Sequence, residues 1–279
     1  MSSFYRIPGE TLNKFDLKIY KYTSIIEMHL LEKVYKSRLI LKELLSNEWD
    51  TDIIHDVSLK ELEIMYTTQN DNSYVNSGCN FTLTNTNIPS HKLHIIYYNF
   101  PELHRSGTKI NKTCCDKLTA LYQKDGFESD DTPFEKEDSI LIIINEPITD
   151  SIETSVENMF LKGRNELLKY ELSPSIQKEM KENKFNMEIN YFRNVHIFHL
   201  DTLTRNLLKH SYVPIHEVIR DKETIQKIYE NTNSNSQLLP IILRTDAIAK
   251  LIRLCPENIC KITRVSENCG HNTYYRICK

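Results

Sequence analysis

The chain has 279 residues, enough for two domains, and with 40% hydrophobic and 26% charged residues it has the balance of a globular protein able to bury a core. A formal net charge of −3 argues against a surface that grips nucleic acid over its whole extent and leaves only local basic patches for that task. The longest apolar run, Leu238–Leu243, is far short of the roughly 20 residues a membrane helix needs, and the N-terminus lacks the charged-then-apolar order of a signal peptide, so a soluble intracellular chain is expected.

In chain order, Met1–Asp16 has no periodicity and reads as an arm. From Leu17 to Ser46, Ile26, Leu30, Val34, Leu41 and Leu45 recur at helical spacing and predict an amphipathic helix; Lys33, Lys36, Arg38 and Lys42 are placed on its outer face. The Asn-, Ser- and Thr-rich stretch Thr67–Ser90 reads as a long loop or short strands with polar turns. Lys92–Tyr98 is then expected as a strand, Ile110–Lys124 as a helix, and the β-branched run Ser139–Ile144 as a strand buried on both faces. The acidic stretch Gly126–Asp138 lacks the ligand spacing of a calcium loop and reads as solvated. A helix over Ile152–Leu168 completes a strand–helix alternation that argues for an α/β domain, and a polar helix or linker is expected over Lys169–Phe185.

Chemistry-bearing patterns are few. The seven cysteines, at positions 79, 114, 115, 255, 260, 269 and 278, form no Cys-x2-Cys knuckle and read as reduced thiols, with Cys260 and Cys278 as small buried hydrophobes. His91/His94 and His196/His199 are three apart in strand-like patterns, where such positions face opposite ways and cannot share a metal. Neither a nucleophile elbow nor a Gly-rich phosphate loop occurs, so neither a catalytic residue nor a cofactor is expected. At Met187 a Lys/Glu-rich run gives way to alternating Ile189-Asn190-Tyr191-Phe192, which suggests a domain boundary.

The last forty residues read as one unit. Thr245 and Asp246 offer capping oxygens to a helix over about Asp246–Leu254, stopped by Pro256. Asn258–Val265 alternates as a strand, Ser266–Gly270 is a turn with Gly270 free to take positive φ, and Thr273–Cys278 is the returning strand. Arg264 shares a face with Cys260 and Ile262, where a charge needs a partner or a path to water; an Arg264–Glu267–Arg276 network near the turn is one arrangement that would supply it.

The run from Leu239-Pro240 through Asp246, then Lys261-Ile262, Arg264, Ser266-Glu267, Gly270 and Tyr275-Arg276-Ile277, closely resembles the C-terminal assembly domain of the fifth-largest subunit shared by eukaryotic nuclear RNA polymerases, a family with an archaeal counterpart. Val213-Pro214-Ile215-His216 is similar to a further segment of that family. This chain departs from the family pattern in lacking glycines at Arg253 and Glu257, which implies a differently shaped connection fixed by Pro256, and in carrying Ala247, Ile215, Ile241 and Leu243 at positions usually Pro, Lys, Arg and Gln.

The resemblance implies an α+β / α/β architecture: a flexible arm over 1–16, an N-terminal α/β jaw domain over 17–186 on an inactive nuclease-like scaffold, and a small α+β assembly domain over 187–279. The Pro-Asp that would begin a nuclease signature is absent. The same resemblance implies a non-catalytic polymerase subunit, with Pro214, His216, Leu239, Pro240, Asp246, Arg264, Ser266, Glu267, Gly270, Tyr275 and Arg276 toward the largest subunit. Downstream double-stranded DNA would lie at the jaw, and no membrane or small-molecule substrate is implied. A stand-alone DNA-binding or degenerate nuclease-fold protein is the alternative. The Asn-, Lys- and Ile-rich composition points to a protist or a large DNA virus, hence to the nucleus if cellular, or to host cytoplasm or virion if viral.

Overall fold

Positions three, four and seven apart fix the first helix, α1 (Lys14–Leu45), in the computed structural model of the chain. The structure describes residues 14–67, 78–98, 115, 119, 122, 134–169, 171–183, 187–266 and 270–279. Leu30, Val34, Leu41 and Leu45 are buried on one stripe of α1, and Ser37 and Arg38 are buried with them. The helix starts three residues before Leu17, so Lys14–Asp16 of the expected arm are helical; the rest of that arm lies outside the described residues. A short helix α2 (Leu59–Thr67) follows.

The first sheet runs β1 (Phe81–Thr84), β2 (Lys92–Tyr97), β3 (Ser139–Ile144), β4 (Val195–His199). β1 is antiparallel to β2, while β2–β3 and β3–β4 are parallel. Parallel neighbours need a crossover, supplied between β3 and β4 by a path that includes α3 (Asp150–Leu167) and α4 (Pro174–Glu182). β3 is buried along its whole length, as its unbroken β-branched run predicts. Leu141 and Ile143 face α1, and Ile140, Ile142 and Ile144 face Ile152, Val156, Met159 and Phe160 of α3.

Several expectations change here. Of the polar stretch Thr67–Ser90, residues 68–77 lie outside the described residues and the rest contains β1. Of the helix expected over Ile110–Lys124, Cys115 and Thr119 are helical, Tyr122 bridges Phe134, and the remainder lies outside the described residues. The acidic stretch is not wholly solvated: Glu137 and Asp138 are buried. Asp138 accepts hydrogen bonds from Lys92 N (3.1 Å), Glu135 N (3.0 Å) and His94 Nε2 (2.9 Å), because donors from two strand starts converge on it. One strand pairing crosses the division expected at Met187. Val195–His199 pairs with β3, so the first sheet takes its last strand from beyond that point.

The second sheet comes next, in the order β5 (Ile215–Ile219), β7 (Ile259–Ser266), β8 (Gly270–Cys278), β6 (Ile241–Ile242). Helix α5 (Lys222–Thr232) is capped by Asp221, whose carboxylate accepts from Thr224 N at 2.9 Å. It lays Ile225 and Ile228 on Ile259 and Ile277. On the opposite sheet face, α6 (Ala247–Leu251) packs Ala249 near Cys260, Ile262 and Cys278. Asp246 caps α6 as expected, accepting from Ile248 N and Ala249 N.

The end of α6 differs from the expectation. The helix stops at Leu251, before Pro256, because Arg253 is left-handed at φ 51°. Arg253 N donates to Lys250 O and Leu254 N to Ala249 O, the double bond of a Schellman cap whose left-handed position is usually glycine. Glu257 is left-handed too, at φ 73°. The connection therefore keeps the backbone of the two missing glycines, and the side chains there bear the steric cost of about 1–2 kcal/mol each. Relief is simplest at Glu257, which is exposed and whose carboxylate meets Asn190 at 3.2 Å and Arg164 only at 3.9 Å. Glu257→Gly should raise stability by about 0.5–1 kcal/mol in urea unfolding; an unchanged or lower midpoint would refute the strain at this corner.

Candidate docking face and its mounting

The β7–β8 hairpin gives the second sheet two unlike ends. Register places His216, Ile262 and Tyr274 in one row across the sheet, Val218, Cys260 and Arg276 in another, and Arg264 opposite Asn272 beyond them. Cys260, Ile262 and Cys278 are buried by α6, whereas towards the turn the strands outrun β5 and β6 and meet solvent. There Val265 is 83% exposed and Tyr274 45% exposed, on opposite faces of the hairpin; Ile215 is exposed on the Val265 face, while Ile241 and Leu243 are exposed at the root of β8, at the other end of the sheet. Gly270, the first residue of β8, takes φ +71°. Exposed apolar side chains on both faces of a projecting hairpin are suited to covering by another polypeptide.

The residues expected to meet a partner divide into two groups. Leu239 is buried against Ile259 and Ile277, Pro240 O accepts from Ile277 N at 2.9 Å, and Asp246 is the cap of α6; these three build the unit itself. Pro214 O lies 2.6 Å from His216 Nδ1, which fixes the half-buried imidazole. Ser266 pairs with Gly270, and Tyr275 lies on the other sheet face from Arg264 and Arg276, opposite Lys261. Glu267 lies outside the described residues. Arg264 reaches water and stacks 5.3 Å from the centre of the Tyr274 ring. Arg276, opposite Cys260, is four strand residues from the partner of Arg264, about 13 Å along β8. The expected Arg264–Glu267–Arg276 network runs through Glu267, outside the described residues; among the described residues Arg264 makes this cation–π contact, and the strand separates its guanidinium from that of Arg276.

On α1, Lys33, Lys36 and Lys42 do face outwards, each paired with an acid: Asp201 at 2.7 Å, Glu32 at 2.7 Å and Asp56 at 3.5 Å. Arg38 does not. It is buried, donating to Cys79 O at 3.3 Å and lying 4.8 Å from the Phe81 ring centre, because position 38 falls on the stripe of Val34 and Leu41.

What fixes the second sheet to the first is a set of basic side chains that the sequence marks only by their place beside apolar residues. Arg244, just after β6, donates to Asn194 Oδ1 at 3.0 Å, to Val195 O and to Glu157, and lies 4.0 Å from the Phe160 ring centre. Arg220, at the end of β5, pairs with Glu48 and donates to the carbonyls of Ile252 and Arg253. Arg193 braces the first-sheet side of this joint, pairing with Glu166 at 2.9 Å and crossing Gly163, where an added Cβ would stand 2.4 Å from Arg193 Nε. Lys250–Glu153 and Lys209–Glu43 complete the mounting. Arg244 and Arg253 each stand beside apolar neighbours, Leu243 and Leu254, and a basic residue set in an apolar run was the available signal.

These cations act on two buried histidines. Burial first, then Arg253, holds His91 well below the ordinary imidazole value; burial, then Arg244, holds His196 there too. His91 packs between Trp49, Tyr191 and Phe192, with Nε2 at 3.0 Å from Ser139 Oγ. Burial also raises Tyr191 to about 12. The described cysteines, 79, 115, 255, 260 and 278, are buried and in no disulfide, and among the described residues no group of His, Cys, Asp and Glu could hold a metal ion.

The second sheet is also where known proteins match. A family model described as RNA polymerase Rpb5, C-terminal domain, matches residues 205–278. The DNA-directed RNA polymerase subunit Rpo5 of Methanococcus maripaludis strain C7 is 40% identical over 68 residues, 24% of this chain and 86% of the relative. Those of Methanosphaera stadtmanae and Aeropyrum pernix are both 36% identical, over 72 and 73 residues, covering 26% of this chain and 92% and 80% of the relatives.

Two measurements check the mounting. Arg244→Ala strands Glu157 and the Val195 carbonyl and should cost on the order of 3 kcal/mol in urea unfolding; a loss under about 1 kcal/mol would show that the joint does not depend on it. For the histidines the sign follows from their depressed values: the fold keeps them neutral, whereas the unfolded chain takes up protons near pH 6.5. Stability should fall as pH drops below that value, by up to about 1.4 kcal/mol per pH unit for each histidine. His196→Gln should flatten the slope, and identical slopes for both proteins would contradict the assignment.

Proposed function

This chain belongs to the Rpb5/Rpo5 family of DNA-directed RNA polymerase subunits, and from that premise we propose that it is a non-catalytic subunit which docks on the largest polymerase subunit through its second sheet. The supporting observation is a coincidence of boundaries. The matched segment, residues 205–278, is the second sheet with its helices, and that sheet ends in an exposed hairpin bearing Val265 and Tyr274. Nucleotidyl transfer belongs, in this reading, to other subunits. Leu239, Pro240 and Asp246 shape the docking unit, while Pro214, His216, Arg264, Tyr275 and Arg276 stand at or beside the contact.

The first sheet with α1 takes the place of the jaw that lines the downstream DNA cleft. Lys33, Lys36 and Lys42 are the cations offered to DNA phosphates, without sequence preference, since phosphate contacts position a duplex and do not read it. Their present acidic partners are surface pairs worth at most about 1 kcal/mol, weak enough to be exchanged. The subunit goes wherever its polymerase works: the nucleus of a cell, or host cytoplasm or virion for a virus.

Affinity purification of the tagged chain from its native source should recover the largest polymerase subunit in stoichiometric amount. Val265→Glu sets a charge on the hairpin without touching the core, so recovery should fall several-fold while thermal stability stays within a few degrees. Undiminished recovery would remove the hairpin from the interface, and recovery of the chain alone would sink the polymerase reading itself.

A further inference from the structure

A cleft of about 560 Å³ runs between the end of α1 and β5, with Trp49, Tyr191, His216, Arg220 and Arg253 in its wall. Its charges are unevenly matched. Arg220 is neutralised by Glu48, Glu217 pairs with Lys261 at 2.7 Å, and Asp221 is engaged as the cap of α5. Arg253 is 3% exposed, and no described carboxylate pairs with it. Its guanidinium lies 4.9 Å from the Trp49 ring centre, an attraction that makes up only part of the hydration lost on burial. Arg253 Nη1, Trp49 Nε1 and Arg220 Nε are three buried donors without an acceptor among the described residues. Asn85, also in the wall, has its Oδ1 engaged by the N–H groups of Asn87 and Ile88 and its Nδ2 by Tyr191 Oη. One corner of the cleft therefore carries one uncompensated positive charge, surplus donors and committed acceptors.

We propose that this cleft binds a carboxylate, seated against the Arg253 guanidinium beside the Trp49 indole. A single negative charge matches the one unpaired cation, and a planar carboxylate suits the guanidinium fork. A phosphate dianion fits less well, since Arg220 is already neutralised and Glu48 and Asp221 on the same walls would repel the second charge. The carboxylate arrives either as a free small acid or as a glutamate side chain on a polypeptide. The site is independent of the docking hairpin, which lies at the other end of the sheet.

Trp49, the sole tryptophan of the chain, reports on its own neighbour. Titration of the full chain with sodium acetate, and separately with N-acetylglutamate α-amide, at ionic strength held constant with sodium chloride, should change its fluorescence saturably. Saturation with acetate identifies a free acid as a sufficient ligand; saturation with the blocked glutamate alone identifies a side chain; either supports the site. Arg253→Gly suits the left-handed backbone at that position and should remain folded by circular dichroism, yet bind about tenfold or more weakly. Arg253→Lys, which keeps the charge without the fork, should fall between. A linear response to both probes, equal affinity in Arg253→Gly and the unaltered chain, or phosphate binding as tightly as acetate would overturn the proposal.

Discussion

The structure depends on one problem in electrostatics: how two sheets of different construction are joined by buried basic side chains that need partners. Much of the solution is basic side chains rooted in one unit that bond into the other, Arg244 from the second into the first and Arg220 to both. Arg244 leaves the strand it follows and meets a carbonyl of β4, the Asn194 amide and a carboxylate of α3, while its flat face covers Phe160. A guanidinium suits this work because it offers five donors in a plane and an apolar surface above it. Lysine could supply the charge at such a place but not the several directions, and at the more exposed positions 209 and 250 a single carboxylate partner is all that is asked of it.

From that joint come the properties of each sheet beside it. Burial, reinforced by the neighbouring cations, keeps His91 and His196 neutral, so the centre of the molecule prefers imidazole to imidazolium and resists acid less well than a purely apolar core. The first sheet presents β4 to the joint and cannot be cut from the second at Met187 without stripping β3 of a neighbour. The hairpin of the second sheet, held at its base by α5 and α6, projects its far end into solvent and keeps its apolar side chains uncovered. Such a projecting hairpin depends on support at its root, where α5 and α6 pack.

The corner between α6 and β7 joins the backbone to this scheme. The chain there turns through two left-handed residues although neither is glycine. At Arg253 the unfavourable φ places a guanidinium over Trp49 in the wall of the cleft, so backbone strain and side-chain position are two consequences of one substitution pattern. At Glu257 the side chain points outward to weak partners, and the strain there has no comparable return.

By itself the sequence determined the elements whose signal is local and periodic: α1 from its stripe, β3 from its β-branched run, the cap at Asp246, the β7–β8 hairpin and the turn glycine at 270. Its ordered identities over the last quarter also determined the family, because many separated matches in one order constrain a fold more than any single motif. Tertiary structure alone decided the rest. Whether Arg38 faced in or out depended on what packed against α1, and a short sequence window holds only one of the two surfaces. Asp138 looked like part of a solvated acidic loop until strand starts from distant parts of the chain converged on it. The joint was illegible for the same reason: Arg244 and Glu157 are 87 residues apart, and only the folded chain brings them together. Periodicity reports which face of an element avoids water, whereas pairing between elements is a fact about three dimensions.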